Sequence, residues 1–120
     1  MTLVNRSVSD LLAAFRSPSP TPGGGSAAAL AGAMGASLLA MVAALPKSRV
    51  ATEEDTQRLA AAGGRCTALA AELEALVDED SAAYDLVMAA YKKPKTTDED
   101  KAAQARITAS GVAVASRIAC

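Results

Sequence analysis

Asp80 is a carboxylate on a face of the chain where apolar residues are expected. At about 100° per residue, counted from Leu73, the apolar side chains of residues 66–91 fall in one arc, and the other charged residues lie outside it. Asp80 lies inside the arc, one helical turn from Leu76 and from Tyr84. A carboxylate on a buried face is costly unless it is paired or hydrogen-bonded. Two explanations remain open: a structural Asp bound to a Lys, an Arg or a helix end, or an acid–base group in a ligand cavity.

Two further groups could act beside this carboxylate. Tyr84 lies on the same face and could share such a cavity, although the pattern alone favours a core aromatic with its hydroxyl at the rim. Lys92, Lys93 and Lys95 follow the same segment. A lysine cluster is typical of a solvated loop, and at the mouth of a helical bundle it would also meet an anionic substrate tail.

A glycine turn precedes the most apolar stretch of the chain. Gly23, Gly24 and Gly25 permit positive φ and leave their N–H groups uncovered, and Ser26 is expected to be the N-cap of the helix that follows. Free amides at the positive end of a helix favour an anion or a polar ligand. The turn lacks the Lys-Ser/Thr pair of a phosphate-binding loop, and no strand precedes it, so it is weak as a nucleotide motif.

The composition limits both the chemistry and the partners. The 120 residues suffice for one domain, expected to span residues 1–120. The absence of His and the wide separation of the two Cys argue against His-based catalysis, most zinc sites and a disulfide framework. We therefore expect no metal and a reduced, cytoplasmic setting. With a net charge of −1 and no basic stripe, nucleic acid is not an expected partner.

Helix signals predict an all-α bundle of about four helices. The predicted segments are residues 8–15, capped by Ser7; residues 26–45, ended by Pro46; residues 52–91, interrupted or bent at Gly63 and Gly64; and a last helix from Thr97 to the C-terminus. The second helix is apolar on every face, so we expect it to be central and buried. Its small residues Ala28, Gly32 and Ala36 would let a neighbouring helix approach closely.

The second helix has one competing interpretation. It approaches the ~20 residues that span a bilayer. However, it is rich in Ala, which contributes little to membrane transfer, and no aromatic belt flanks it. A membrane hairpin is thus the weakest alternative, and we expect no membrane partner.

The order of three segments resembles the cyclodeaminase/cyclohydrolase family of folate enzymes over about residues 8–120. These segments are TPGGGSAAALAGAMGASLLAMVA, LVDEDSAAYDLVMAAYKKPK and an acidic helix start. The resemblance implies an all-helical domain that forms a homodimer, binds a tetrahydrofolate derivative and needs no cofactor beyond that substrate. In this family, cyclodeaminases convert 5-formiminotetrahydrofolate to 5,10-methenyltetrahydrofolate and ammonia. The cyclohydrolases open the methenyl bridge with water to give 10-formyltetrahydrofolate.

The resemblance also implies roles for particular residues. Asp80 matches the family's acidic catalytic position, and Tyr84 would orient Asp80 or the pterin. The backbone of residues 23–26 would donate to the ligand, and Lys95 would attract the carboxylate tail. We expect a formiminotetrahydrofolate cyclodeaminase; the alternatives are a methenyltetrahydrofolate cyclohydrolase and a non-catalytic folate-binding or self-associating helical module. Family domains are longer and the last helix has no C-cap, so we expect a domain that is incomplete at its C-terminus.

Overall fold

The computed structural model describes residues 2–46, 51–93 and 97–119, without the side chains of residues 111, 112 and 114–119. A short 3-10 turn at Leu3–Asn5 precedes four α-helices: α1 (Val8–Arg16), α2 (Gly24–Ala44), α3 (Glu53–Lys92) and α4 (Asp98–Ala119). No strand occurs in these described residues. The prediction of an all-α bundle of four helices is confirmed.

Three of the helix starts follow the capping signals in the sequence. The hydroxyls of Ser7, Thr52 and Thr97 each accept the backbone N–H three residues later, at 3.1, 3.1 and 3.2 Å. Thr52 forms a complete capping box, because Asp55 accepts the Thr52 N–H at 3.2 Å in return. Each bond satisfies a helix-terminal amide that has no partner within its own helix.

The long helix α3 is the element on which the others pack. Its 40 residues give a helix about 60 Å long, which accounts for most of the longest dimension of the molecule, 71 × 32 × 19 Å. Of the interruption or bend expected at Gly63 and Gly64, the interruption is wrong, since α3 is continuous there; the bend stays a prediction. A Cβ on Gly63 would lie 3.0 Å from the Cβ of Ala43, so Gly63 allows the end of α2 to pack closely on α3.

The core lies where the 3-10 turn, α1, α2 and the middle of α3 meet. It consists of buried Leu3, Leu11, Ala29, Leu76 and Val77, with Phe15, Leu30 and Leu73 partly buried against them. Helix α4 packs mainly on α3. The core therefore holds the first turn of α2 against the middle of α3.

Among the described residues, helix α2 is buried along one side. Its buried apolar residues are Ala29, Ala36 and Ala43, one every seven residues, and all three are small. Met34, Leu38 and Leu39 are 58–60% exposed. The expectation that α2 is buried on every side thus holds for its alanine face alone. Within the described residues, α2 is the one helix long and apolar enough to cross a membrane by length and composition, a criterion that signal sequences and core helices of soluble proteins also meet.

Candidate functional site at the start of helix α2

Asp80 lies where α3 passes the first turn of α2. Its Oδ2 accepts the backbone N–H of Ser26 at 3.1 Å. This contact matches one of the two explanations drawn from the sequence, an Asp bonded to a helix end. A carboxylate at this position also interacts favourably with the positive end of the helix.

Ser26 does not cap α2, contrary to the prediction. The N-cap is Gly23, whose extended backbone has its carbonyl oxygen 3.1 Å from the N–H of Ala27. Ser26 is therefore the third residue of the helix, and its amide is one of the orphan donors of the first turn. Asp80, from another helix, supplies the acceptor that a capping side chain would have provided.

Gly25 is required by close approach rather than by backbone conformation. None of the described glycines has a positive φ, so that expectation for residues 23–25 is wrong. Instead, a Cβ on Gly25 would fall within 2.5 Å of the three carboxyl atoms of Asp80. The carboxylate occupies the space of the missing side chain, and only glycine at residue 25 leaves room for it.

The Ser26 side chain is fully buried between the two helices. Its Oγ lies 2.6 Å from the carbonyl oxygen of Val77, 2.9 Å from the Oγ of Ser81 and 3.5 Å from Asp80 Oδ2. Ser26 has no exposed surface, so these partners replace water completely. Ser81 was not among the predicted site residues, although it lies next to Asp80 in the chain.

The site retains groups that are able to bind a ligand. In the part of the chain that the structure describes, Asp80 Oδ1 accepts no hydrogen bond, and the amides of Gly24 and Gly25 donate none. Tyr84 lies one turn further along α3 and is 41% exposed. The structure thus brings Asp80 together with the glycine turn, with Tyr84 nearby on the same helix. Lys95 lies outside the described residues.

Two other carboxylates of α3 bind the N-terminal segment. Asp78 accepts the backbone N–H groups of Leu3 and Val4, at 2.6 and 3.3 Å, and Asp85 accepts the Thr21 hydroxyl at 3.2 Å. With the other charged residues of this segment, Asp78 and Asp85 were predicted to lie outside the apolar arc. Their spacing of seven residues sets them on one stripe beside the apolar arc, which was the available signal.

Two grooves among the described residues lie away from this carboxylate. One, of about 480 Å³, is lined mainly by apolar residues of α1, α2 and α3, with Arg6 and Glu74 among them. Another, of about 310 Å³, lies between the end of α2 and the beginning of α3. Asp80 lines neither groove. Among the described residues, no group of three or more His, Cys, Asp or Glu is placed to hold a metal ion.

Comparison with known proteins gives one family match and two curated relatives. A family model described as formiminotransferase-cyclodeaminase matches residues 7–120, which include every site residue discussed above. Over 104 residues, 84% of this chain, the sequence is 41% identical to a methenyltetrahydrofolate cyclohydrolase of Methylorubrum extorquens. Over 96 residues, 80% of this chain, it is 36% identical to a formimidoyltransferase-cyclodeaminase of Sus scrofa. The matched regions cover 49% and 18% of those two proteins, so the chain spans about half the length of the first.

Proposed function

Because this chain belongs to the formiminotransferase-cyclodeaminase family, we propose that it acts on a tetrahydrofolate derivative and hydrolyses 5,10-methenyltetrahydrofolate to 10-formyltetrahydrofolate. The support for the cyclohydrolase reaction is the 41% identity to a protein of that name over 84% of this chain. This choice reverses the order expected from the sequence, in which the cyclodeaminase came first.

The chemical part of the proposal rests on Asp80, the α3 carboxylate that contacts the first turn of α2. Oδ2 of Asp80 is held by the Ser26 amide, whereas Oδ1 accepts no hydrogen bond in the described part of the chain. In the proposed reaction, Oδ1 takes a proton from a water molecule as its oxygen attacks the methenyl carbon. The resulting tetrahedral carbon carries a hydroxyl between N5 and N10.

The intermediate then collapses with the same carboxyl group as proton donor. Asp80 gives its proton to N5 as the bond between N5 and the carbon breaks. The hydroxyl loses its proton to solvent, which leaves the formyl group on N10. Such proton transfer contributes a rate factor of about 10²–10⁴. Because the substrate carbon is already cationic, the proposal includes no metal or redox cofactor.

The other site residues have binding roles in this proposal. The amides of Gly24 and Gly25 lie at the positive end of α2 and would donate to polar groups of the folate. Tyr84 would orient Asp80 or the pterin ring. Lys95, outside the described residues, would attract the carboxylate tail of the substrate.

The cyclodeaminase reaction is the second candidate, supported by the 36% identity to the formimidoyltransferase-cyclodeaminase. In this reaction N10 attacks the formimino carbon, and ammonia leaves from a similar tetrahedral carbon. Asp80 would move the proton from N10 to the departing nitrogen. The same carboxylate serves both reactions, so substrate assays must separate them.

The test is a spectrophotometric assay of the purified chain with each of the two substrates. We expect accelerated loss of methenyl absorbance with 5,10-methenyltetrahydrofolate, and a decrease of about 10²–10⁴-fold in Asp80→Asn. Asn can still accept the Ser26 N–H, so the variant should fold. Asp85→Asn, which removes the same charge from the same helix, is the matched control and should retain its rate.

The other outcomes distinguish the alternatives. Appearance of methenyl absorbance from 5-formiminotetrahydrofolate, lost in Asp80→Asn, would establish the cyclodeaminase instead. Binding of tetrahydrofolate without turnover of either substrate would support the non-catalytic helical module. Full activity in Asp80→Asn would remove the catalytic assignment.

A further inference from the structure

Ser81 makes a partly buried contact that the proposed reaction does not use. It follows Asp80 on α3, and its hydroxyl oxygen lies 2.9 Å from that of Ser26. Ser26, in turn, donates its backbone N–H to Asp80 Oδ2. Asp80 is thus linked to Ser81 through a residue of the opposite helix, as well as along its own chain.

The direction of donation follows from counting protons. The Ser26 hydroxyl has one proton, and its nearest acceptor is the carbonyl oxygen of Val77, at 2.6 Å. A carbonyl oxygen only accepts, so the Ser26 proton lies on this bond. The alternative acceptor, Asp80 Oδ2, is 3.5 Å away, at the limit of a hydrogen bond. In the contact between the two hydroxyls, Ser81 is therefore the donor.

The Ser26 hydroxyl is therefore held by two hydrogen bonds: it donates one to Val77 and accepts the other from Ser81. Both partners, Val77 and Ser81, belong to α3, so the bonds fix the first turn of α2 against that helix. The Ser26 amide is part of this turn, and its position determines where Oδ2 of Asp80 is held. Without the Ser81 hydroxyl, the buried Ser26 oxygen loses its donor, and the Val77 carbonyl alone holds the Ser26 side chain against α3.

We propose that Ser81 is a positioning residue that acts on Asp80 through Ser26 and keeps Oδ1 directed towards the substrate. The catalytic part of this inference rests on the proposed function, in which Asp80 Oδ1 exchanges the proton. The structural part is independent of it, because it concerns only the contact between Ser81, Ser26 and Asp80.

The kinetic test compares two substitutions of Ser81 whose new side chains, Thr and Val, have the same shape as each other. Ser81→Thr keeps a hydroxyl, and Ser81→Val replaces that hydroxyl with a methyl group. We expect Ser81→Val to lower kcat by about tenfold, because small displacements of a reacting group are costly. KM should change little, since substrate binding in the ground state is not affected. Ser81→Thr should retain most of kcat, and Ser37→Ala, which removes an exposed hydroxyl bonded within α2, should not change it.

A second measurement keeps the inference testable apart from activity. In amide hydrogen exchange followed by NMR, the Ser26 N–H should exchange faster in Ser81→Val than in Ser81→Thr and the unsubstituted chain. If the unsubstituted chain turns over neither folate, the proposed function fails, and this exchange rate alone decides whether Ser81 positions Asp80. Equal kcat values in the Thr and Val variants of an active chain would overturn the inference, as would equal Ser26 exchange rates.

Discussion

At residue 25, the backbone of α2 lies so close to α3 that a carboxylate fills the space of a side chain. A Cβ there would fall within 2.5 Å of the Asp80 carboxyl atoms, so Gly25→Ala must displace Asp80. The displaced Oδ2 would lose the Ser26 amide, a bond to a charged group worth about 1.5–3 kcal/mol. We expect loss of the proposed activity and a large shift of the Ser26 amide resonance in NMR spectra.

A glycine elsewhere on α2 provides the control and a prediction of its own. A Cβ on Gly35 has no atom within 4 Å to meet, and the residue lies inside the helix. Gly35→Ala should raise the free energy of unfolding by about 0.5–1 kcal/mol, because Ala loses less conformational entropy in a helix. Urea denaturation checks this value. If Gly35→Ala were also destabilised, alanine would be unfavourable in α2 even without a close contact. The effect of Gly25→Ala could then not be attributed to Asp80.

Only part of this site could be predicted from the sequence. Asp80 interrupts a periodic apolar face, and periodicity along one helix is sufficient to find such a residue. The positions of Ser26 and Ser81 depend on a contact between residues 55 apart in the chain. Helix periodicity carries no information about the partner helix, so it could not show that Asp80 takes the place of a cap on α2.

The start of α3 gives a pH-dependent prediction at the scale of the element. The hydroxyl and the backbone N–H of Thr52 favour the ionised Asp55 carboxylate and lower its pKa from the ordinary value of 3.8. Such a carboxyl binds fewer protons in the folded state. Its contribution to stability is therefore present above pH 3.8 and is lost as the pH falls through the lower, folded pKa.

Removing the Thr52 hydroxyl should raise the pKa of Asp55. An NMR titration should give a midpoint below 3.8 for Asp55 in the unsubstituted chain and a midpoint closer to 3.8 in Thr52→Val. Thr67→Val, which alters an exposed hydroxyl further along the same helix, should leave the Asp55 midpoint unchanged. Identical midpoints in all three proteins would contradict the capping assignment.

The contact between α3 and the 3-10 turn predicts a loss of stability. Asp78 accepts the amides of Leu3 and Val4, and the Leu3 side chain is part of the core. Asp78→Ala should lower the free energy of unfolding by about 1–3 kcal/mol, since a part-buried donor loses its partner. Urea denaturation measures this loss, with the exposed Glu72→Ala as the control. Equal stability of the two variants would mean that the 3-10 turn contributes little.

Element boundaries were more predictable than the packing between elements. Ser7, Thr52 and Thr97 identify helix starts because a cap is a local hydrogen bond between residues close in the chain. The glycine pair in α3 was misleading for the opposite reason. A glycine normally weakens a helix. Gly63, however, packs against Ala43 of α2, and such a tertiary contact offsets the low helix propensity of glycine.

At the scale of the whole molecule, the surface of α2 is the least predictable feature. Its composition indicates a helix surrounded by apolar groups, yet among the described residues it is buried along its alanine face alone. The sequence specifies how apolar a helix is but not which polypeptide covers it. The expected homodimer therefore stays a prediction, and it can be argued from one stripe of side chains.

That stripe consists of Met34, Leu38, Met41 and Leu45, which are 52–59% exposed. The spacing of four and three residues sets Met34, Leu38 and Met41 along one side of α2, the pattern of a helix–helix interface, and Leu45 follows as the C-cap of this helix. Contiguous apolar surface of this kind favours association in water. We expect the purified chain to sediment above its monomer mass of 12.0 kDa, in a concentration-dependent manner and without detergent.

Charged substitutions on this stripe test whether it is the surface through which the chain associates. The double substitution Leu38→Glu and Met41→Glu should return the chain to a sedimenting monomer, because apposed stripes would then bury like charges. Ala71→Glu, on an exposed position of α3, is the control and should leave association unchanged. Circular dichroism should show the same helix content in each protein, since both substituted side chains of α2 are more than half exposed. If the double variant still associated, the contact would lie elsewhere on the molecule. If the unsubstituted chain stayed soluble only with detergent or lipid vesicles, the membrane interpretation of α2 would be favoured.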